Sequence, residues 1–151
     1  MSNKLQRGRD RVQRGVALVE FALILPFLLL LSMIAIEFGR AIWQYNTLTK
    51  SVRDAARYLS LQTPGTKLTQ AKNLAVYGNL GGTGAPLARG LSISNVPDPV
   101  WDTAGTAPVI NTVTVRITNY TFTSMFGNTV FGLTFGPITY GNITATMRSY
   151  L

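Results

Sequence analysis

Apolar positions along the chain fall into three regimes. From Val16 to Ile36, VALVEFALILPFLLLLSMIAI, they are nearly continuous, interrupted by Glu20, Pro26 and Ser32. As a helix this run is about 31 Å long, the thickness of a bilayer's hydrocarbon core. From Phe38 onward the apolar residues recur every three or four positions: Phe38, Ala41, Tyr45, Leu48, Val52, Ala55, Leu59. The opposite side carries Arg40, Gln44, Lys50, Arg53, Asp54 and Arg57. That spacing predicts an amphipathic helix, ended by Thr63-Pro64-Gly65. With no proline between Phe27 and Thr63, one helix over 16–61 would be about 69 Å long. Its first half is apolar all round and its second half on one face, as expected if it leaves a membrane and packs on a head. The small Ala41 and Ala55 and the aromatic Tyr45 favour packing beneath a sheet over a zipper with a partner helix. Trp43 suits either a membrane interface or a head contact.

The third regime, 62–151, reads as a small α+β head. Residues 67–77 form a short helix with Leu68, Ala71, Leu74 and Ala75 inward. Glycines 78, 81, 82 and 84 with Pro86 make a loop, Leu91–Val96 a short strand, and 97–108 a loop of turn residues. Val109–Thr118 alternates well, with Val109, Val113, Val115 and Ile117 apolar and Thr112, Thr114, Arg116 and Thr118 forming the other face. The Phe- and Gly-rich stretch 120–135 suggests a bend or short helix at 123–126. Its aromatics either close the core or form a contact patch. Ile138–Tyr150 reads as a last strand.

Charge adds an orientation. The 151 residues carry 14 Lys+Arg against 6 Asp+Glu, a net +8. Lys4, Arg7, Arg9, Arg11 and Arg14 stand against Asp10 directly before the apolar run. The positive-inside rule then places 1–15 in the cytoplasm and 38–151 outside. No nucleic-acid motif accompanies the charge, so that partner is not expected. A cleaved secretory signal would have an apolar region of about 7–15 residues and a small-x-small site. This run is longer and is followed by Glu37-Phe38-Gly39-Arg40.

Candidate chemistry is sparse. The chain has no His and no Cys, which removes disulfides, His or Cys metal sites and Ser-His or Cys-His couples. Asp98 and Asp102 are the head's paired acids, and a solvated turn explains them better than hydrolysis or calcium binding. Gly81-Gly82-Thr83-Gly84 lacks the lysine and register of a phosphate loop. Asn119-Tyr120-Thr121 and Asn142-Ile143-Thr144 matter only in a glycosylating pathway. No enzyme, cofactor, metal or small-molecule substrate is expected.

Glu20 is the anomaly, because an ionisable group within an apolar span is a functional candidate by default. It is the fifth residue after Gly15. A cut after Gly15 would give Val16 a new amine able to pair with Glu20 of a neighbouring subunit. The other reading, equally weighted by geometry, is that Glu20 lies about 7 Å into the helix and reaches for the headgroups.

Arg14-Gly15-Val16-Ala17-Leu18-Val19-Glu20-Phe21-Ala22-Leu23, continuing through Pro26, resembles the prepilin pattern of bacterial type IV pilins and pseudopilins. With Glu37-Phe38-Gly39-Arg40 and Ala55-Ala56-Arg57-Tyr58, the stretch 14–58 resembles the TadE-like family of tight-adherence (Tad/Flp) pilus systems. Ile143–Arg148 is similar to that family's closing strand. Processed members of this pilus class often carry Glu-Tyr where this chain has Glu20-Phe21. The resemblance implies a pilin-like fold, a long transmembrane and stalk helix packed on a small antiparallel sheet. It also implies a single-pass protein of the bacterial inner membrane, divided into leader 1–15, transmembrane helix 16–36, stalk 37–61 and head 62–151. A prepilin peptidase would cut between Gly15 and Val16. Glu20 and Phe21 would set helix register, and other pilins and assembly-platform proteins would be partners. An unprocessed membrane-anchored binding module, such as an adhesin or envelope sensor, is the alternative, and processing separates the two.

Overall fold

A computed structural model describes residues 3–126, 129–130, 133–134 and 136–150, with side chains described for 15–126 and 136–150. Helix α1 spans Asn3–Ser60 and passes through Pro26 without interruption. It begins upstream of the expected Val16 because the basic stretch is built of good helix formers, Lys, Gln and Arg, with nothing stronger than glycine against them. Residues 15–36 touch little of the head, Glu37 and Arg40 make contact with it, and 41–60 enter its core.

The head is an α/β two-layer sandwich. Helix α2, Leu68–Tyr77, packs against α1 and stops at Gly78, whose left-handed φ of 73° lets its N–H reach the Leu74 carbonyl. Three antiparallel strands lie in the order β1 (Val100–Ala104), β2 (Ile110–Ile117), β7 (Ile143–Arg148). The register pairs Trp101 with Val113, Val115 with Ala145, and Ile117 with Ile143. One sheet face therefore presents Val113, Val115, Ile117, Ile143 and Ala145 to Leu48, Val52, Ala55, Ala56 and Leu59 of α1, all buried. The other face carries threonines, with the Thr114 and Thr146 hydroxyls 2.8 Å apart. The last helix carbonyl, of Ser60, accepts the Tyr150 N–H at 3.0 Å, so the closing strand caps the helix that it packs on.

Between β2 and β7 the chain makes a narrow excursion. β3 (Thr121–Phe122) pairs with β6 (Ile138–Thr139), and β4 (Thr129–Val130) with β5 (Leu133–Thr134), both antiparallel. β3 and β6 continue the β2–β7 register, whereas β4 and β5 are offset from it by three residues.

The expected α+β fold, a long apolar helix packed on a small antiparallel sheet, is the one observed, and several local expectations change. Leu91–Val96 is not a strand. It holds a 3-10 turn, Ile93–Asn95, because the Ser92 and Asn95 side chains bond the backbone locally. The loop expected over 97–108 contains edge strand β1, which pairs with β2 despite its exposed, polar-rich residues. The last strand breaks at Tyr140–Asn142 into β6 and β7. At 123–126 there is a bend and no helix. Phe131 and Phe135, two aromatics of the 120–135 stretch, lie outside the described residues.

Candidate functional site

Two regions of α1 carry the functional question. The first is the apolar run. Gly15, Val16, Glu20 and Phe21 all lie within the helix, and all are exposed. Among the described residues none contacts Glu20 through a hydrogen bond or ion pair. The segment is the one helix among them long and apolar enough to cross a membrane, and its most apolar stretch is not buried against the protein. An apolar surface of this size, exposed on all sides, demands a non-aqueous or protein surround.

The second region begins at the next residue, where the head grips the helix. Glu37 Oε2 accepts from Arg40 Nη1 at 2.6 Å, and its Oε1 accepts the Met125 backbone N–H at 2.7 Å. Partial burial pushes the Glu37 carboxyl up. The hydrogen bonds from Ser124, Arg40 and Met125, with the Arg40 charge, outweigh it and leave the pKa below its ordinary 4.5. The Arg40 guanidinium also lies 5.4 Å from the centre of the Phe122 ring, within cation–π range.

One turn further along, three tyrosines meet. The Tyr140 hydroxyl donates to the Ala41 carbonyl at 2.6 Å. The Tyr120 hydroxyl donates to the Arg89 carbonyl at 2.9 Å and lies 3.1 Å from the Gln44 side-chain amide. Turning that amide over lets its NH2 donate to the hydroxyl, so both contacts hold together. The Tyr45 ring meets Tyr140 edge-on at 5.6 Å, and Tyr120 is 5.7 Å from Tyr140. Burial raises the pKa of both Tyr120 and Tyr140; for Tyr120 its neighbour Tyr140 adds to the rise and the Arg40 charge partly opposes it. Both hydroxyls therefore stay protonated as donors at neutral pH.

This ring of contacts corrects the helix face read from spacing. Ala41, Leu48, Val52, Ala55 and Leu59 are buried as expected, but Phe38 and Tyr45 are 63% and 46% exposed. Gln44 and Arg40, assigned outward, point inward; Gln44 is buried because Tyr120 satisfies its amide. Trp43 is 64% exposed, away from the head. The signal for Gln44 was present, since it sits three residues after Ala41 and four before Leu48. The Glu37–Met125 bond had no sequence signal, because it uses a backbone N–H.

The other candidates separate. Asp98 pairs with Lys72 of α2 at 2.6 Å, while Asp102 accepts the Thr103 N–H on β1, so the two acids serve different elements. At the end of the head away from the apolar run, Arg57, Ser60, Leu61, Met147, Arg148 and Tyr150 line an open groove of about 650 Å³.

In comparison with known proteins, residues 15–57 match the family model described as TadE-like protein, the family that the sequence resembles. The matched segment is the apolar run, the Glu37–Gln44 grip and most of the core-facing part of α1. No curated protein and no solved structure matches the chain.

Proposed function

We propose that this protein is a membrane-anchored structural component of a Tad/Flp-type pilus system, a minor pilin or pseudopilin. The observation that carries this reading is a coincidence of segments. The residues that match the TadE-like family are those of an exposed apolar helix that continues, without a break, into the core of a small α+β head. A helix of that kind holds the head at a fixed station above a membrane and packs sideways on others like it.

In this reading residues 16–36 hold the chain in the inner membrane, with 1–15 in the cytoplasm and the head outside. A prepilin peptidase hydrolyses the Gly15–Val16 bond. The new Val16 ammonium then faces Glu20 of an adjacent subunit. In the low dielectric between apolar helices, that pair rewards one axial register over its neighbours. Phe21 packs beside it. The head meets other pilus and assembly-platform proteins. No step of this function is catalysis by the chain itself.

The test is the intact mass of the membrane-extracted protein, co-expressed with its own prepilin peptidase. Loss of residues 1–15 is expected, with Val16 as the new N-terminus. A Glu20→Ala variant should insert and be cut but fail to co-assemble. An uncut chain, where a sister pilin in the same cells is cut, would sink the processing step and leave a permanently anchored component.

A further inference from the structure

We infer that the hairpin between β2 and β7 is a second membrane contact, in which the bend at Met125–Phe126 sits in the headgroup layer beside the helix. The inference rests on residues 16–36 spanning the bilayer, as proposed above.

The argument begins with the order of contacts along α1. As the chain leaves β2, Tyr120 meets Gln44, Phe122 meets Arg40, and the Met125 N–H meets Glu37. Each step moves the hairpin back along the helix towards the apolar run. Residues 16–36 fill the hydrocarbon core, and the headgroup layer on each side is about 5–7 Å deep, or three to five helical residues. Residues 37 to about 41 therefore lie in that layer. Met125 and Phe122 are fixed to this part of the helix, so the bend enters the same layer whichever leaflet the head faces.

The composition fits that place. No charged residue occurs between Arg116 and Arg148, although 13% of the whole chain is charged. At the bend Met125 is 65% and Phe126 38% exposed, and Ile138 across the hairpin is exposed too. Phe38 on the helix adds an exposed aromatic ring at the same level, and Trp43 another about 8 Å further along the axis. Apolar side chains left open in water cost free energy, but here the bilayer that takes up the neighbouring helix also takes them up. The patch is continuous with the helix surface that needs lipid, which favours lipid over a protein partner.

The chain contains no cysteine, so single-cysteine spin labels report one site each. The full chain would be reconstituted in phosphatidylethanolamine/phosphatidylglycerol vesicles with labels at Met125→Cys, at Leu28→Cys in the apolar run, and at Thr103→Cys on β1. Collision with oxygen, which concentrates in lipid, is compared with collision with a water-soluble nickel chelate. The inference expects the oxygen-to-nickel ratio at 125 to exceed that at 103 several-fold and to fall short of that at 28. A high ratio at 28 with a water-like ratio at 125 overturns the inference and leaves the anchor intact. A water-like ratio at 28 removes the anchor as well. A label at 125 shielded from both reagents means that a second copy or a partner covers it, which also overturns the inference. Ile138→Cys repeats the reading from the other side of the hairpin, in case the label at 125 disturbs the bend.

Discussion

Removing the Tyr120 hydroxyl, Tyr120→Phe, isolates the cost of opening the seam between helix and head. The ring and its packing stay, and the contacts to Gln44 and the Arg89 carbonyl go. Gln44 is buried, with 7% of its surface exposed, so its amide loses a partner that water cannot easily replace. An orphaned buried polar group of this kind costs about 1–3 kcal/mol. Tyr140→Phe is the internal control. Its acceptor, the Ala41 carbonyl, still receives a helical N–H from four residues on, so the loss should be nearer 0.5–1.5 kcal/mol, the net value of an ordinary hydrogen bond. The assay is urea unfolding of the head in detergent micelles, followed by Trp101 fluorescence in a Trp43→Phe background. With a slope of about 1–3 kcal/mol per molar urea, a 2 kcal/mol loss moves the midpoint by roughly 1 M. Adding Gln44→Leu to Tyr120→Phe should recover part of the loss, because the orphaned amide goes with it. The reasoning fails if Tyr120→Phe costs no more than Tyr140→Phe, or if the second substitution adds a further full penalty.

Three other outcomes follow from the same contacts. Because the Glu37 carboxyl has its pKa lowered in the folded protein, the stability it contributes is complete above its ordinary value of 4.5 and is lost as pH falls through the lower folded value. Amide exchange at Met125, corrected for intrinsic rate, should therefore speed up below about pH 4.5, and Glu37→Gln should abolish that dependence. Leu48→Ala, at a fully buried position between helix and sheet, should cost about 2–5 kcal/mol by the same urea assay. Gly82→Ala should cost about 1 kcal/mol or more, since its φ is +67° and an added Cβ would lie 2.7 Å from the Asn73 amide group; a neutral result would show that the Asn73 contact to the Leu80 carbonyl is not held in place.

The sequence made legible those parts of the fold in which periodicity and burial coincide. The apolar run, the turn into an amphipathic face, α2 and β2 each repeat one simple pattern over many residues. Elements that depend on a partner were hidden. β1 is a strand because β2 offers it an edge; Val100, Trp101 and Thr103 suit a strand, but Asp102 and the flanking Pro97, Pro99, Gly105 and Pro108 read as turns. At 44–45 polarity does not mark the exposed face. A tyrosine seventy-six residues away in sequence makes the glutamine the inward residue and leaves the aromatic ring half outside. The candidate residues at 15–21 could be read from the sequence because their pattern is local. The grip at Glu37 could not, because half of it is backbone.

The unbroken course of α1 also sets an angle. Eighteen residues make five full turns, so Glu20 lies at the same azimuth as Phe38, about 27 Å below it along the axis. Phe38 is open on that side, whereas Glu37, about 100° round the helix, faces the hairpin. A neighbouring helix that comes to Glu20 must therefore rise along the Phe38 side to avoid meeting the head. In the proposed assembly, rotation of the head and the direction of the Glu20 carboxylate are thus one variable. A single alanine inserted between Phe27 and Phe38 would turn them about 100° apart while leaving the head folded, and under the proposed function the variant should be cut but fail to co-assemble.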